Sequence, residues 1–136
     1  MKIILFILSL IILTACSSVP RFTKESERKG TGHLPSSTVL TGTASYYADE
    51  YHGRKTANGE IYDMYKLTAA HRDLPFNTTI RVTNLKNQKT VTVRINDRMP
   101  DFKNRIIDLS YGAAKQLDMI QDGIVEVKME ILRLGN

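Results

Sequence analysis

Two carboxylates and one imidazole stand in three polar stretches of a chain that otherwise consists largely of short apolar runs. They are Glu60 in HGRKTANGE, His71 in LTAAHRDLP and Asp97 in RINDRMPD. Singly, each has an ordinary explanation as a surface acid, a hydrogen-bonded loop histidine or a turn former. Together they supply the groups that acid–base chemistry on a glycosidic bond requires. The sequence therefore predicts that Glu60, His71 and Asp97 form a catalytic site.

Four further residues near these three are candidates for binding a substrate: Tyr47, Tyr51, Asn58 and Arg98. Tyrosine rings offer flat apolar surfaces to sugars, although packing in the core is the alternative. Since Tyr46 and Tyr47 alternate on one predicted strand, one of the two is expected in the core. Arg98 is expected to face away from Asp97 and to brace the loop, because successive residues at a strand end point to opposite faces.

Alternating apolar residues predict the elements that must hold these side chains. Six strand candidates follow, at residues 42–47, 66–69, 80–83, 90–96, 105–109 and 124–131. One helix is predicted over residues 113–117, with Ser110 as its N-cap, and a polar hairpin loop over residues 84–89. So many short strands in about 95 residues predict an all-β fold, a small closed or nearly closed barrel, because closure removes exposed strand edges.

The N-terminal residues read as a sorting signal. A positive start at Met1-Lys2 precedes an eleven-residue apolar run, Ile3 to Leu13, which is too short for a membrane-spanning helix. The following Leu-Thr-Ala-Cys resembles the bacterial lipobox, whose cysteine is lipidated, and Cys16 is the only cysteine in the chain. An ordinary signal peptide or a short uncleaved anchor are the alternatives. We expect residues 1–15 to be a lipoprotein signal peptide and Cys16 to carry the membrane anchor.

Composition then divides the remaining chain in two. Residues 16–40 are rich in Ser, Thr, Lys, Pro and Gly without periodicity, which predicts a flexible lipidated tether. Residues 41–134 form the predicted barrel domain. Ser17 after the cysteine favours the outer membrane, facing the periplasm, because aspartate at that position tends to retain bacterial lipoproteins at the inner membrane. The expected location is thus the bacterial cell envelope.

Charge distribution and ligand spacing argue against nucleic-acid binding and metal binding. The net charge is +5, and falls to +4 once Lys2 is removed with the signal, which suits an anionic cell-wall polymer or phospholipid surface. The basic residues form no run, so nucleic acid is not an expected partner. A metal site built on His52, His71 and an acid lacks ligand spacing, and no metal or other cofactor is expected.

Three stretches in unbroken order resemble the rare lipoprotein A family: GTASYYADEYHGRKTANGE, LTAAHRDLPFNTTIRVTN and VRINDRMPDFKNRIIDLSYGAAKQL. The resemblance implies a six-stranded double-psi β-barrel, related to the barrels of barwin and the expansins. It also implies a lytic transglycosylase, which cleaves the MurNAc–GlcNAc β-1,4 bond of peptidoglycan and leaves a 1,6-anhydro end. On the matching motifs, the family's functional acid, histidine and glutamate fall on Asp97, His71 and Glu60.

Two departures from the family pattern bear on function. Met99 occupies the place where the family usually has glycine, and if that glycine has a positive φ, methionine would strain the loop by about 1–2 kcal/mol. Many family members carry a C-terminal SPOR repeat that binds peptide-free glycan at the septum. The chain ends at Asn136 without one, so septal targeting is not carried over and no division-site partner can be named.

The expected chemistry assigns a role to each acid. Asp97 would protonate the leaving oxygen and take a proton from the C6 hydroxyl, with Glu60 as a second carboxylate that raises the pKa of Asp97. His71 would orient Asp97 or the sugar. Asp108 is expected to fix the adjacent loop or the helix start, and Asp101 only to form the turn. The rival interpretation is a non-catalytic, expansin-like glycan-binding module.

Overall fold

The computed structural model describes residues 38–47 and 49–136. The predicted signal peptide, the lipidation site Cys16 and nearly all of the predicted tether lie outside these residues, so the predicted domain division stays a prediction. Within the part of the chain that is described, no helix is long and apolar enough to cross a membrane.

The described chain consists mainly of strands. The strands are β1 (Val39–Tyr46), β2 (Thr68–Ala70), β3 (Thr79–Asn84), β4 (Thr90–Asp97), β5 (Arg105–Leu109) and β6 (Val125–Arg133). One α-helix, α1 (Tyr111–Gln116), follows β5, and a single 3-10 turn spans Asp49–Tyr51. The predicted all-β class with six strands and one helix is confirmed; the 3-10 turn was not predicted.

The six strands close into a barrel in the order β1-β5-β2-β4-β3-β6. Two of its pairs, β1 with β5 and β2 with β4, are parallel, and the other four are antiparallel. The predicted hairpin of β3 and β4 is present, and every strand has two neighbours. No strand of the described barrel is therefore left with an unpaired edge.

Strand alternation fills the barrel with apolar side chains. In β4, Val91, Val93 and Ile95 are buried, while the residues between them are polar and mostly more exposed. The same period in β6 buries Val125, Val127 and Met129, whereas Ile131, which the same alternation predicts inside, is partly buried. These side chains form one core with Leu109, Leu117 and Met119.

The strand pairings determine which residues meet. Because β2 is antiparallel to β5, β2 and β4 run opposite to β1 and β5. Ser45 pairs with Asp108, Asp108 with Ala70, and Ala70 with Asp97. The end of β4 therefore lies in one row with Asp108 of β5 and Ser45 of β1. Ser110 follows β5 and caps α1, where its Oγ accepts the backbone N–H of Ala113 at 3.2 Å, as predicted.

The C-terminal residues pack against the loop that precedes β3. The backbone N–H of Gly135 donates to Oγ1 of Thr78 at 3.0 Å. A side chain at Gly135 would collide with the backbone carbonyl of Phe76, so only glycine permits this approach.

Candidate active site

Asp97 is the last residue of β4, and three hydrogen-bond donors converge on its carboxylate. Its Oδ1 accepts the backbone N–H groups of Ala57 at 2.9 Å and Arg98 at 2.8 Å. Its Oδ2 accepts the hydroxyl of Tyr47 at 3.3 Å. These donors come from three segments of the chain, so the carboxylate is held in one orientation at the end of β4.

Asp97 lies in an open groove of about 540 Å³. The groove is lined by the end of β1, the end of β4, the segments that follow these two strands, and two residues of β5: Ser45, Tyr46, Tyr47, Tyr51, Asp97, Arg98, Met99, Pro100, Phe102, Arg105 and Asp108. Aromatic and charged side chains thus share one surface, a composition that suits a polar ligand with apolar faces, such as a sugar.

Tyr47 and Tyr51 both reach the groove, where the sequence predicted them. The ring of Tyr47 lies between those of Tyr51 and Tyr62, with centroids 5.9 Å and 5.0 Å away. Burial and the nearby charge of Asp97 raise the pKa of the Tyr47 hydroxyl above its ordinary value, so it remains a donor. Tyr46 packs against the core, as expected for one of the two adjacent tyrosines.

The second carboxylate of the groove is Asp108 on β5. Its Oδ1 accepts the Ser45 hydroxyl at 2.5 Å, and its Oδ2 accepts Nη2 of Arg105 at 3.1 Å. It makes no contact with the helix start, but through Arg105 it supports Phe102 in the loop that precedes β5. The contact with Ser45 arises from the parallel pairing of β5 with β1, which no local sequence pattern predicted.

Glu60, one of the predicted catalytic residues, is held by an ion pair. Both of its oxygens accept hydrogen bonds from the Arg94 guanidinium at 2.8 Å, and Nδ2 of Asn96 donates to Oε2 at 3.2 Å. The bonds to Arg94 lower the pKa of Glu60 to about 2. Its partners are thus Arg94 and Asn96, and the role of a second carboxylate beside Asp97 stays a prediction.

Glu60 instead fixes the loop that reaches Asp97. The Asn58 side chain donates to Glu60 at 2.9 Å and accepts the Thr56 hydroxyl at 2.7 Å. Gly59, with φ of +92°, allows the tight turn between them. Asn58 thus uses its side chain inside the loop and is not among the residues that line the groove, and its role in binding substrate stays a prediction.

His71 adjoins Asp97 through its backbone, since its N–H donates to the Asp97 carbonyl at 3.3 Å. Its imidazole is buried, and Nδ1 accepts the backbone N–H groups of Asp73 at 3.0 Å and Leu74 at 3.1 Å. The ring therefore holds its own loop, and the predicted contact with the Asp97 carboxylate or the groove is not observed. Burial lowers the pKa of His71, which favours the neutral form.

This depressed pKa predicts how stability depends on pH. Because the unfolded chain binds a proton to His71 below about pH 6.5 while the folded chain resists it, the free energy of unfolding should fall as pH drops below 6.5. His71→Asn retains an acceptor for the two N–H groups and removes the titration. Urea unfolding at pH 7.5 and 5.5 should show a smaller loss in His71→Asn than in wild type. Equal losses would contradict the assignment.

Arg98 and Met99 complete the loop after Asp97. The Arg98 guanidinium lies 3.8 Å from the Phe76 ring centroid, and Nη1 donates to the His71 carbonyl at 3.3 Å, so Arg98 braces the loop as expected while also lining the groove. Met99 is buried and is not among the residues with positive φ. The strain that would follow from a positive φ at this position is therefore absent.

The remaining polar residues add no metal centre within residues 38–47 and 49–136, where no group of three or more His, Cys, Asp or Glu side chains could hold an ion. Nδ1 of His52 accepts the backbone N–H of Met64 at 3.1 Å. Asp101 does more than form the turn, because its carboxylate pairs with Arg72 in the loop that follows His71.

The barrel is a double-psi β-barrel: it is closed, has six strands with two parallel pairs, and has an acidic groove at the end of β4. The sequence matches the lytic transglycolase family over residues 39–129, and the chain belongs to that family, as the sequence resemblance predicted. It is 55% identical over 95 residues to the endolytic peptidoglycan transglycosylase RlpA of Campylobacter jejuni and 53% over 91 residues to that of Pseudomonas aeruginosa. These alignments cover 70% and 67% of the chain, but only 34% and 27% of the relatives.

Solved structures of more distant proteins share the fold. The Streptomyces papain inhibitor is 24% identical, with a TM-score of 0.57 over 74% of this chain and 100% of its own. An expansin of Clavibacter michiganensis is 18% identical, with a TM-score of 0.58 over 73% of this chain and 52% of its own. At these identities the likeness concerns the barrel alone.

Proposed function

We propose that the barrel is a peptidoglycan lytic transglycosylase, which cleaves the MurNAc–GlcNAc β-1,4 bond and leaves a 1,6-anhydro end. The observation that carries the proposal is the Asp97 carboxylate, exposed to an open groove and oriented by three donors. Membership of the lytic transglycolase family and the names of the relatives support the same activity. Since the chain spans about a third of those relatives, their activity and substrate are proposed for it.

The reaction needs one group that gives a proton and later takes one. Protonated Asp97 would donate to the glycosidic oxygen as the bond to the anomeric carbon breaks. The C6 hydroxyl of the same MurNAc would then attack that carbon, and the Asp97 carboxylate would accept the hydroxyl proton. The proton balance closes on Asp97, and no water is consumed.

The other charged groups in and beside the groove assist by holding positions and by electrostatics. The carboxyl group of Asp108 lines the groove, where it would favour the positive, oxocarbenium-like transition state. Tyr47 donates to Asp97 and limits the directions that its carboxylate can take. Glu60 and His71 act through the loops that they hold, as positioning residues.

Release of 1,6-anhydro products from purified peptidoglycan sacculi tests the proposal directly. Incubation with the purified chain, followed by mass spectrometry of the soluble fraction, should yield fragments with 1,6-anhydroMurNAc ends. Retention on sacculi without any such product would instead support the rival, a non-catalytic glycan-binding module.

We also propose that lipid on Cys16 anchors the protein in the outer membrane of the bacterial cell envelope, where it faces the periplasm. The sequence Leu13-Thr14-Ala15-Cys16 supports this location. Metabolic labelling with radioactive palmitate should mark the wild-type chain, whereas Cys16→Ser should remain unlabelled and leave the membrane fraction. A labelled Cys16→Ser protein would contradict the proposal.

A further inference from the structure

Phe102 is an exposed aromatic side chain on the wall of the groove, and it has no role in the proposed chemistry. It is 45% exposed and belongs to the loop between β4 and β5. A lone exposed apolar residue is ordinary and needs no explanation. Phe102 differs because it faces the same groove as Asp97 and because one side of its ring is supported.

The support comes from Arg105, whose guanidinium carbon lies 3.7 Å from the Phe102 ring centroid. Arg105 is fixed in turn, since its Nε and Nη2 lie 2.8 Å and 3.1 Å from the Asp108 carboxylate. Asp108 is buried and also holds the Ser45 hydroxyl. The backbone N–H of Arg105 donates to the Phe102 carbonyl at 3.1 Å. The ring is therefore held at its backbone and at one face, which leaves its remaining surface free.

A second ring of the groove has the same kind of support. The guanidinium carbon of Arg54 lies 5.4 Å from the Tyr51 ring centroid, and Tyr51 is 46% exposed. Tyr51 comes from the segment after β1, whereas Phe102 comes from the segment after β4. The groove thus contains two exposed rings from different segments, each with an arginine against it, together with Asp97.

We propose that Phe102 is a sugar-stacking platform that holds one pyranose ring of the glycan strand beside Asp97. Pyranose rings present apolar C–H faces, which pack on aromatic rings, and a ring that is already immobilised loses little entropy when it binds. Arg105 acts as a positioning residue for Phe102. This inference rests on the proposed function in naming a glycan as the ligand, but it concerns binding, which can be measured without turnover.

Binding to purified sacculi by the Asp97→Asn protein, which should turn over its substrate about 10²- to 10⁴-fold more slowly than wild type, tests the platform. Adding Phe102→Ala should weaken retention by about 5- to 10-fold, the loss expected for one aromatic contact. Adding Phe102→Trp should retain binding, because a larger ring preserves the stacking surface. Leu132→Ala removes a side chain of similar exposure, 43%, outside the groove, and should leave binding unchanged.

Steady-state rates in proteins with Asp97 intact provide the second readout. Phe102→Ala should raise the sacculus concentration needed for half-maximal rate by a similar factor and change the maximal rate less. Thermal unfolding should be unaltered, since Phe102 is exposed. Unchanged binding and kinetics in a folded Phe102→Ala protein would overturn the inference, as would equal losses in the alanine and tryptophan variants.

The two proposals can fail separately. If the wild-type chain releases no anhydro product yet Phe102→Ala loses binding, the platform stands and the transglycosylase proposal falls. If the wild-type chain releases anhydro product while Phe102→Ala binds and cleaves as well as wild type, only the platform falls.

Discussion

Asp97→Asn is expected to lower the rate of release of 1,6-anhydro products by about 10²- to 10⁴-fold, the contribution typical of one acid–base group. The amide has the shape of the carboxyl group, and its oxygen can still accept the backbone N–H groups of Ala57 and Arg98. Its nitrogen can donate to the Tyr47 oxygen, with the hydroxyl turned away. The substitution therefore removes proton transfer and leaves the groove in place.

Product release, sacculus binding and thermal unfolding should be measured together for this variant. Binding and unfolding should match wild type, so that the loss is confined to the maximal rate. Asp101→Asn is a matched control, because Asp101 is an exposed acid of the same loop that pairs with Arg72 away from the reacting groups. A rate within tenfold of wild type for Asp97→Asn would exclude Asp97 as the proton carrier.

Glu60→Ala is expected to lower the maximal rate by about 10²-fold, although the side chain of Glu60 is paired with Arg94 and not with Asp97. The substitution releases Arg94 and Asn96 from their shared partner and frees the loop whose Ala57 N–H orients Asp97. Displacement of a reacting group by about 1 Å can cost that much in rate. Glu60→Gln keeps part of the hydrogen bonding and should lose less.

The pH dependence of stability tests the ion pair on which the positioning role of Glu60 depends. The pKa of Glu60 is lowered to about 2 in the folded protein, from 4.5, so its ion pair stabilises the fold above pH 4.5. That contribution should disappear as pH falls from 4.5 toward 2. Acid unfolding of Glu60→Gln should lack this component, whereas Glu126→Gln, at an exposed glutamate of β6, should retain it. A fully active Glu60→Ala protein would contradict the positioning role.

Much of the fold is readable from local sequence because the barrel has one inside and one outside. The alternation in β4 and β6 predicts both strands and their buried faces. The short β2 is less readable, since all three of its residues are buried and no alternation marks it. The closed strand order and its parallel pairs depend on contacts between segments that are distant in sequence, and only the family resemblance supplied them.

The contacts of the candidate site were even harder to predict from local sequence than the strand order. Asp97 was predicted because it ends a strong strand pattern. The ion pair of Glu60 was not predicted, because its partner, Arg94, lies 34 residues away and becomes its neighbour only through the fold. The orientation of the His71 ring likewise depends on backbone N–H groups that no residue pattern reveals. No sequence pattern predicted a role for Phe102, because that role depends on the packing of Arg105 against its ring.

The packing of Gly135 against Phe76 has a practical consequence for engineering. Phe76 supports Arg98 at the groove, so the chain leaves the barrel close to the wall beside Asp97. A purification tag or fusion partner joined after Asn136 would therefore begin on the side of the barrel where Phe76 supports Arg98. The same proximity makes this end a suitable place to graft a carbohydrate-binding module that feeds a polymer into the groove.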